Sequence, residues 1–163
     1  MPRVSRKLEI GLPIDHVWGF VSNPGNLGKW WPRIVRVEGL VGQPGSPGSR
    51  WTSLLEADSG RRVRLDFEST TVRSPEIFAW QQELAGTQFE KHLRRQEYSV
   101  LLHLVNGGTE IELVAETELK GSARLAGLTL RKSQGELLDK ALAGLADALT
   151  AEGSDAAAAE PSS

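Results

Sequence analysis

The sequence predicts an α+β domain in which a curved antiparallel sheet of about seven strands wraps around one long C-terminal helix. The main evidence is a series of segments in which apolar and charged residues alternate. Short turns containing glycine, proline or asparagine separate them, and a single long amphipathic helix follows. Strands joined by tight hairpins pair antiparallel. Their apolar face needs a cover, and only the final helix is long enough to supply one.

The strands share a period-two alternation and end at turn residues. The clearest is 109–119, in which glutamates alternate with apolar residues and threonines, so that one face is dry and the other solvated. The polar and charged segment 85–95 predicts a loop or an irregular strand start. The strands are predicted at 4–10, 34–38, 50–57, 61–72, 77–84, 96–105 and 109–119.

Two short helices are predicted after the first strand. The first, 13–21, begins at Pro13, whose missing N–H costs nothing at that position, and repeats apolar residues at helical spacing. Ser22-Asn23-Pro24-Gly25 ends it, and 26–31 forms one or two further turns before Pro32. These two helices contain three of the five tryptophans of the chain.

The final helix is predicted from roughly Ser122 to Ala151. Its leucines at 138, 142, 145 and 149 recur at i, i+4, i+7 and i+11, which is the spacing of one helical face. We expect Leu125 and Leu128 to begin the same face. The opposite face is charged, so the helix should lie with its leucines on the sheet.

Composition limits the classes of protein and of site. The 163 residues suit one domain, residues 1–151, followed by a small, polar tail, 152–163, predicted to be disordered. The absence of cysteine excludes disulfides, thiol catalysis and cysteine-ligated metals. The net charge is −2, whereas domains that bind nucleic acid are usually basic, so we expect no nucleic-acid partner. With no transmembrane run and no signal-peptide core, we expect a cytoplasmic protein.

The order of the elements resembles the helix-grip fold of the START/Bet v 1-like (SRPBCC) superfamily. Residues 10–34, IGLPIDHVWGFVSNPGNLGKWWPRI, resemble the opening of its bacterial polyketide cyclase/dehydrase and lipid-transport-like members. Residues 106–113, NGGTEIEL, resemble the hairpin that precedes the final helix in that family. The resemblance covers roughly residues 3–151. It implies a cavity between sheet and helix that holds a hydrophobic or aromatic small molecule or a lipid.

The candidate ligand-binding residues lie on the dry face of the strands and of the final helix, with Trp30 added by the resemblance as a residue of the cavity mouth. Most are apolar or aromatic, and a few polar groups share their phase, as is typical of small-ligand sites. The alternative is that the same residues fill a solid core. The candidates are Trp30, Leu65, Phe67, Phe78, Trp80, Gln82, Tyr98, Val100, Leu102, Leu113, Thr117, Leu138 and Leu142. Val63, Leu104, Ile111 and Leu145 continue the same walls.

The sequence contains no evident catalytic group. His16, His92 and His103 lie on predicted wet faces or in a loop, without a nucleophile or carboxylate partner. No P-loop, G-x-S-x-G or H-E-x-x-H motif occurs, and no spacing brings metal ligands together. We therefore predict no catalytic residue, no metal and no cofactor.

Three functional hypotheses remain. The first is a protein that binds a hydrophobic small molecule or lipid. The second is an aromatase/cyclase- or dehydratase-like enzyme acting on a polyketide, with Tyr98 or Gln82 orienting a carbonyl. The third is a module with a filled core that binds a protein partner through the region of Trp30 and Trp31.

Overall fold

The structure is a computed structural model that describes residues 3–159, with side chains described for residues 3–151. The described chain forms seven strands and three α-helices, joined by turns and by short 3₁₀ segments at 24–26, 88–91 and 121–126. The strands are β1 Arg3–Ile10, β2 Ile34–Val41, β3 Arg50–Glu56, β4 Arg62–Arg73, β5 Ile77–Gln82, β6 Leu93–Val105 and β7 Gly108–Leu119. The helices are α1 Ile14–Val21, α2 Leu27–Trp30 and α3 Gly127–Ala159.

The seven strands form one sheet in the order β1-β7-β6-β5-β4-β3-β2, and every neighbouring pair is antiparallel. From β2 to β7, strands that are consecutive in the chain lie side by side in the sheet, and β1 pairs with β7. The short helices follow β1, and α3 packs against β1 and β7. The predicted α+β helix-grip architecture is confirmed.

The predicted strand phase is also confirmed. Phe78, Val100 and Leu113 lie in register across β5, β6 and β7, and all three are buried. Charged residues of the strands lie on the outer face of the sheet, where they form cross-strand ion pairs. For example, an Arg64 Nη1 lies 2.7 Å from a Glu38 carboxylate oxygen.

The middle of α3 packs as its leucine spacing predicts, whereas the segment that leads into it does not. Leu138, Leu145 and Leu149 are fully buried, but Leu125 and Leu128 are 91% and 85% exposed. The prediction that these two residues begin the buried face was therefore wrong. Leu125 lies in the 3₁₀ segment before α3, and Leu128 is ten residues before Leu138, a spacing that turns it about 80° away from the buried face.

Several predicted boundaries differ from the structure. The ambiguous segment 85–95 contains a 3₁₀ turn, after which β6 begins at Leu93. Leu104, predicted on the inner wall, is 75% exposed because it lies beside the β6–β7 turn. The helix α3 continues to Ala159, into the predicted tail, where a run of alanines has the highest helix propensity. Residues 160–163 lie outside the described residues, and the disorder of 152–163 stays a prediction.

Candidate ligand cavity

A cavity of about 90 Å³ lies between the inner face of the sheet, the end of α2 and one turn of α3. Strands β3 to β6 form its floor, and the α2–β2 connection forms one side. One water molecule needs about 10–15 Å³ of such space, so the cavity has room for several water molecules. Its lining residues are Leu27, Trp31, Pro32, Arg33, Ile34, Ser53, Leu55, Leu65, Phe67, Trp80, Tyr98 and Leu137.

Stacked aromatic rings fill much of the remaining interior. Trp51 stacks on Phe67 and on Phe78, with ring centroids 6.0 and 6.5 Å apart. Phe78 in turn contacts Trp80 at 5.5 Å and the edge of Trp18 at 6.5 Å. Because bulky rings from β3, β4 and β5 converge here, they occupy this part of the space between sheet and helix.

The structure places the candidate ligand-binding residues in different surroundings. Leu65, Phe67, Trp80 and Tyr98 line the cavity. The apolar candidates outside the lining are packed in the core, as the solid-core alternative expects. These core residues are Trp30, Phe78, Val100, Leu102, Leu113, Leu138 and Leu142.

The two remaining polar candidates also lie away from the cavity. The Thr117 hydroxyl donates to the Gln96 side-chain oxygen at 2.7 Å, which forms a closed buried pair. Gln82 lies beside an open polar groove with Arg50 and Arg94. Being in phase with the wall did not place either group in the cavity, because the cavity occupies only part of the inner face.

The tryptophan at the cavity is Trp31 and not Trp30. Trp31 follows the last residue of α2 and has an extended backbone, with φ −80° and ψ 133°. Its ring contacts Trp80 and Tyr98 edge-on, with centroids 5.5 and 4.9 Å apart. Trp30 is buried among core residues, and its carbonyl faces Gly144 of α3. The position of the helix end decides which of the two rings lines this cavity, and a ligand-binding role for Trp30 stays a prediction.

Ser53 is the polar group that the sequence reasoning missed. It lies on β3 opposite Leu65, in phase with Trp51 and Leu55, so the alternation of β3 was the signal that could have found it. Its side chain is fully buried, and its hydroxyl has no hydrogen-bond partner among the described residues. A buried hydroxyl left unpaired costs roughly 1–3 kcal/mol, so this group is available to a molecule in the cavity.

Tyr98 supplies a second hydroxyl to the cavity wall. Burial raises the pKa of Tyr98 to about 12, although the nearby Gln134 side chain lowers it in part. The phenol therefore keeps its proton at neutral pH. The Oε1 atom of Gln134 is itself buried and unpaired within the described part of the chain. The polar residues of the sheet that line the cavity are thus Ser53 on β3 and Tyr98 on β6.

The rim of the cavity contains an unusual backbone conformation at Arg33. Its φ of 67° is left-handed, which costs a residue with a side chain on the order of 1 kcal/mol. Its guanidinium pairs with Asp58 of the β3–β4 turn at 2.7 Å, and its carbonyl accepts a hydrogen bond from Glu56 N–H at 2.9 Å. These contacts hold Arg33 between the α2–β2 connection and the neighbouring turn.

The three histidines lie outside the cavity lining. His92 and His103 are exposed, and His16 is half-buried in α1, with an Nε2 atom that has no partner among the described side chains. Within residues 3–151 the cavity lining includes no histidine and no carboxylate. The arrangement is suited to holding a molecule and offers no general-base pair.

The chain matches the family described as polyketide cyclase/dehydrase and lipid transport over residues 1–150. It belongs to that family. The resemblance read from residues 10–34 and 106–113 is therefore confirmed. No curated protein matches this family member. Within the described residues no helix is both long enough and apolar enough to cross a membrane.

Solved structures share the fold of this polyketide cyclase/dehydrase family member. A protein from Thermus thermophilus is 18% identical, with 93% of this chain and 99% of that chain covered and a TM-score of 0.72. A START superfamily protein from Mycobacterium smegmatis is 17% identical, with 91% and 97% covered and a TM-score of 0.72. The di-domain ARO/CYC protein BexL of the BE-7585A biosynthetic pathway is 12% identical, with 91% and 50% covered and a TM-score of 0.71.

Proposed function

We propose that this protein binds a small molecule with an apolar or aromatic body and one polar group. The observation that carries the proposal is the unpaired Ser53 hydroxyl in the wall of an otherwise apolar cavity. Trp80, Phe67 and Leu65 would contact the apolar body, and the Tyr98 hydroxyl is a second polar anchor. A ligand hydroxyl or carbonyl would satisfy groups that are otherwise buried at a cost.

The volume of the cavity limits the ligand. At about 90 Å³ it is smaller than an apolar cavity of about 150 Å³ that holds benzene. A single-ring molecule therefore requires the rim to move outward. Trp31 and Arg33 lie on or beside the short α2–β2 connection, and Leu137 lies on one turn of α3, so the lining on this side does not belong to the sheet. We infer that ligand entry displaces this side while the strands stay in place.

An aromatase/cyclase- or dehydratase-like activity is the second candidate. It is favoured by the family description and by the similarity to BexL. Tyr98 keeps its proton and is therefore able to donate a hydrogen bond to a carbonyl, but it is a poor base. The lining residues within 3–151 add no imidazole or carboxylate to accept a proton. Binding without catalysis is therefore the better supported function.

The tryptophan pair argues against a protein-docking site in this region. Trp30 and Trp31 are only 3% and 8% exposed, whereas a docking hot spot needs aromatic side chains that a partner can reach.

Native mass spectrometry of freshly purified protein, followed by solvent extraction, tests the binding function. We expect a discrete additional mass that is lost on denaturation. If purified protein has the mass of the chain alone and binds neither phenol nor toluene in a titration followed by tryptophan fluorescence, the proposal is wrong. Trp31 and Trp80 line the cavity, so occupation should change their emission.

Ser53→Ala tests the polar anchor. We expect the affinity for phenol to fall by about five- to tenfold, because one hydrogen bond is worth about 1 kcal/mol, while toluene affinity stays the same. Without ligand the variant should be more stable to urea than the parent, because the unpaired hydroxyl is gone. Ser99→Ala is the matched control, since Ser99 lies opposite Ala79 on the outer face. Equal losses for phenol and toluene would indicate a packing change and contradict the anchor role.

A further inference from the structure

The open end of the sheet contains a surface that the cavity does not explain. Three connections lie at this end: the β3–β4 turn, the β5–β6 connection and the β7–α3 connection. The strand register shows this, since Glu56 pairs with Arg62 and Leu93 pairs with Leu119. The cavity rim is at the same end, because Ile34 pairs with Leu55 and both line the cavity. We call this part of the molecule the mouth end.

The segment 119–135 of the mouth end is both basic and apolar. It contains Lys120, Arg124, Arg131 and Lys132 and no acidic residue, in a chain whose net charge is −2. Leu125 and Leu128 protrude from it. The two leucines are three residues apart, and Arg131 and Lys132 follow Leu128 by three and four residues, so apolar and basic groups share one side.

The cations of the mouth end differ from those of the sheet. On the strands most arginines pair with a carboxylate, as Arg95 does with Glu97 and Glu116. Seven cations of the mouth end have no ion-pair partner among the described side chains: Arg61, Arg62, Lys91, Lys120, Arg124, Arg131 and Lys132.

The acidic residues of the mouth end compensate only part of this charge. Asp58 and Glu83 are paired with Arg33 and Arg50. A Glu90 oxygen accepts the Gly86 N–H at 3.0 Å. Glu56 and Glu118 lie at the strand ends. The mouth end is therefore a positively charged surface from which the side chains of Leu125 and Leu128 protrude.

We propose that the mouth end docks on an anionic lipid bilayer, with Leu125 and Leu128 inserted among the acyl chains and the surrounding cations on the lipid phosphates. Amphipathic segments with leucines beside lysines and arginines bind membrane surfaces in this way without crossing them. Juxtaposed cations add attraction to anionic lipids. Docking places the cavity rim against the bilayer, where an apolar molecule enters without crossing water. The docking itself is independent of any ligand in the cavity.

A bilayer fits these observations better than other anionic partners. Nucleic acid is held by contacts to phosphates and bases from polar, cationic and aromatic groups, and it offers no place for two protruding leucines. A protein partner would need a complementary pocket for each leucine and a set of carboxylates in register. The acyl chains of a bilayer surround apolar side chains while its anionic headgroups pair with nearby cations, and neither contact requires a fixed spacing.

Co-sedimentation of the ligand-free full chain with vesicles tests this proposal. We expect binding to phosphatidylglycerol-containing vesicles, weak binding to pure phosphatidylcholine, and release at high salt. The double variant Arg131→Glu/Lys132→Glu should lower the partition coefficient at least about 25-fold, at about fivefold for each lost cation. Lys140→Glu is the charge control, since Lys140 is exposed on the same helix about 12 Å further along.

The leucines separate insertion from simple charge attraction. Leu125→Ser/Leu128→Ser should lower vesicle binding at least about tenfold, because two apolar side chains lose their burial. Leu104→Ser, at an exposed leucine of the β6–β7 hairpin, should leave it unchanged. Circular dichroism and thermal unfolding check that every variant is folded. Absence of binding to the anionic vesicles, binding that survives loss of both leucines, or equally tight binding to duplex DNA would overturn the proposal.

Discussion

The middle of α3 and the segment 121–133, which leads into it, both contain leucines but have different surroundings. Between Leu138 and Leu149 the leucines contact the sheet and α2, and the backbone of α3 comes close to the Trp30 carbonyl. Between Gly121 and Ser133 most side chains are exposed, including two leucines. The difference teaches that a leucine in this region is buried only where its helical spacing turns it toward the sheet.

The two parts should therefore contribute differently to the molecule. The covered part contributes to the free energy of unfolding, because removing its side chains leaves cavities. The uncovered part contributes little to that free energy and is free to contact something outside the domain. Substitutions at equivalent residue types in the two parts measure this difference directly.

Leu145→Ala should have the largest effect. Leu145 is fully buried, so its truncation leaves a cavity and should lower the free energy of unfolding by about 2–5 kcal/mol. Leu128→Ala, on the same helix, should change it by less than about 0.5 kcal/mol. Urea unfolding followed by tryptophan fluorescence measures both. Comparable losses for the two variants would mean that the first turns of α3 are packed in solution.

The glycines of α3 offer a second test with opposite signs. A Cβ at Gly144 would lie 2.5 Å from the Trp30 carbonyl oxygen, so Gly144→Ala forces α2 and α3 apart. We expect a loss of about 1–3 kcal/mol. Nothing lies within 4 Å of a Cβ at Gly127, and Gly127→Ala should stabilise the helix by about 0.5–1 kcal/mol. Differential scanning calorimetry distinguishes the two, and a stabilising Gly144→Ala would contradict the close helix contact.

The sequence carried enough information for the fold and for the phase of the inner wall. Alternation in β4 to β7 predicted which side chains point inward, because a strand with one dry face has only one register that buries it. Local patterns do not specify how neighbouring rings share the interior. The packing of Trp51 between Phe67 and Phe78 therefore could not be read from periodicity, and neither could the small size of the remaining cavity.

The misplaced residues show the same limit at single positions. Trp30 and Trp31 are adjacent, and one residue of difference in the end of α2 decides which ring reaches the sheet. Ser53 looks like an ordinary polar strand residue until the register places it opposite Leu65. Leu125 and Leu128 precede Leu138 by 13 and 10 residues, which turns them about 140° and 80° away from its face at 100° per residue, and the recurrence of leucine alone hides this. The positions of Trp31 and Ser53 at the cavity depend on tertiary contacts between segments that are distant in the sequence.

The smallest expected effect is the pH dependence of stability that arises from Tyr98, which lines the cavity. Burial raises the pKa of Tyr98 from 10.0 to about 12, so the folded state favours the protonated phenol. The resulting stabilisation is fully present below pH 10 and is lost as the pH rises through about 12. At pH 11 the unfolded chain is mostly ionised at this residue and the folded chain is not. The remaining contribution there is about 1 kcal/mol.

Tyr98 is the only tyrosine, so tyrosinate absorbance reports this residue alone. We expect the absorbance of the folded protein to rise near pH 12 and that of the urea-unfolded protein near pH 10. In urea unfolding between pH 10 and 12, the stability of Tyr98→Phe relative to the parent should increase with pH. Titration of the folded protein near pH 10 would mean that water reaches the phenol. The lining at Trp31 and Tyr98 would then be open, and water would enter the cavity there.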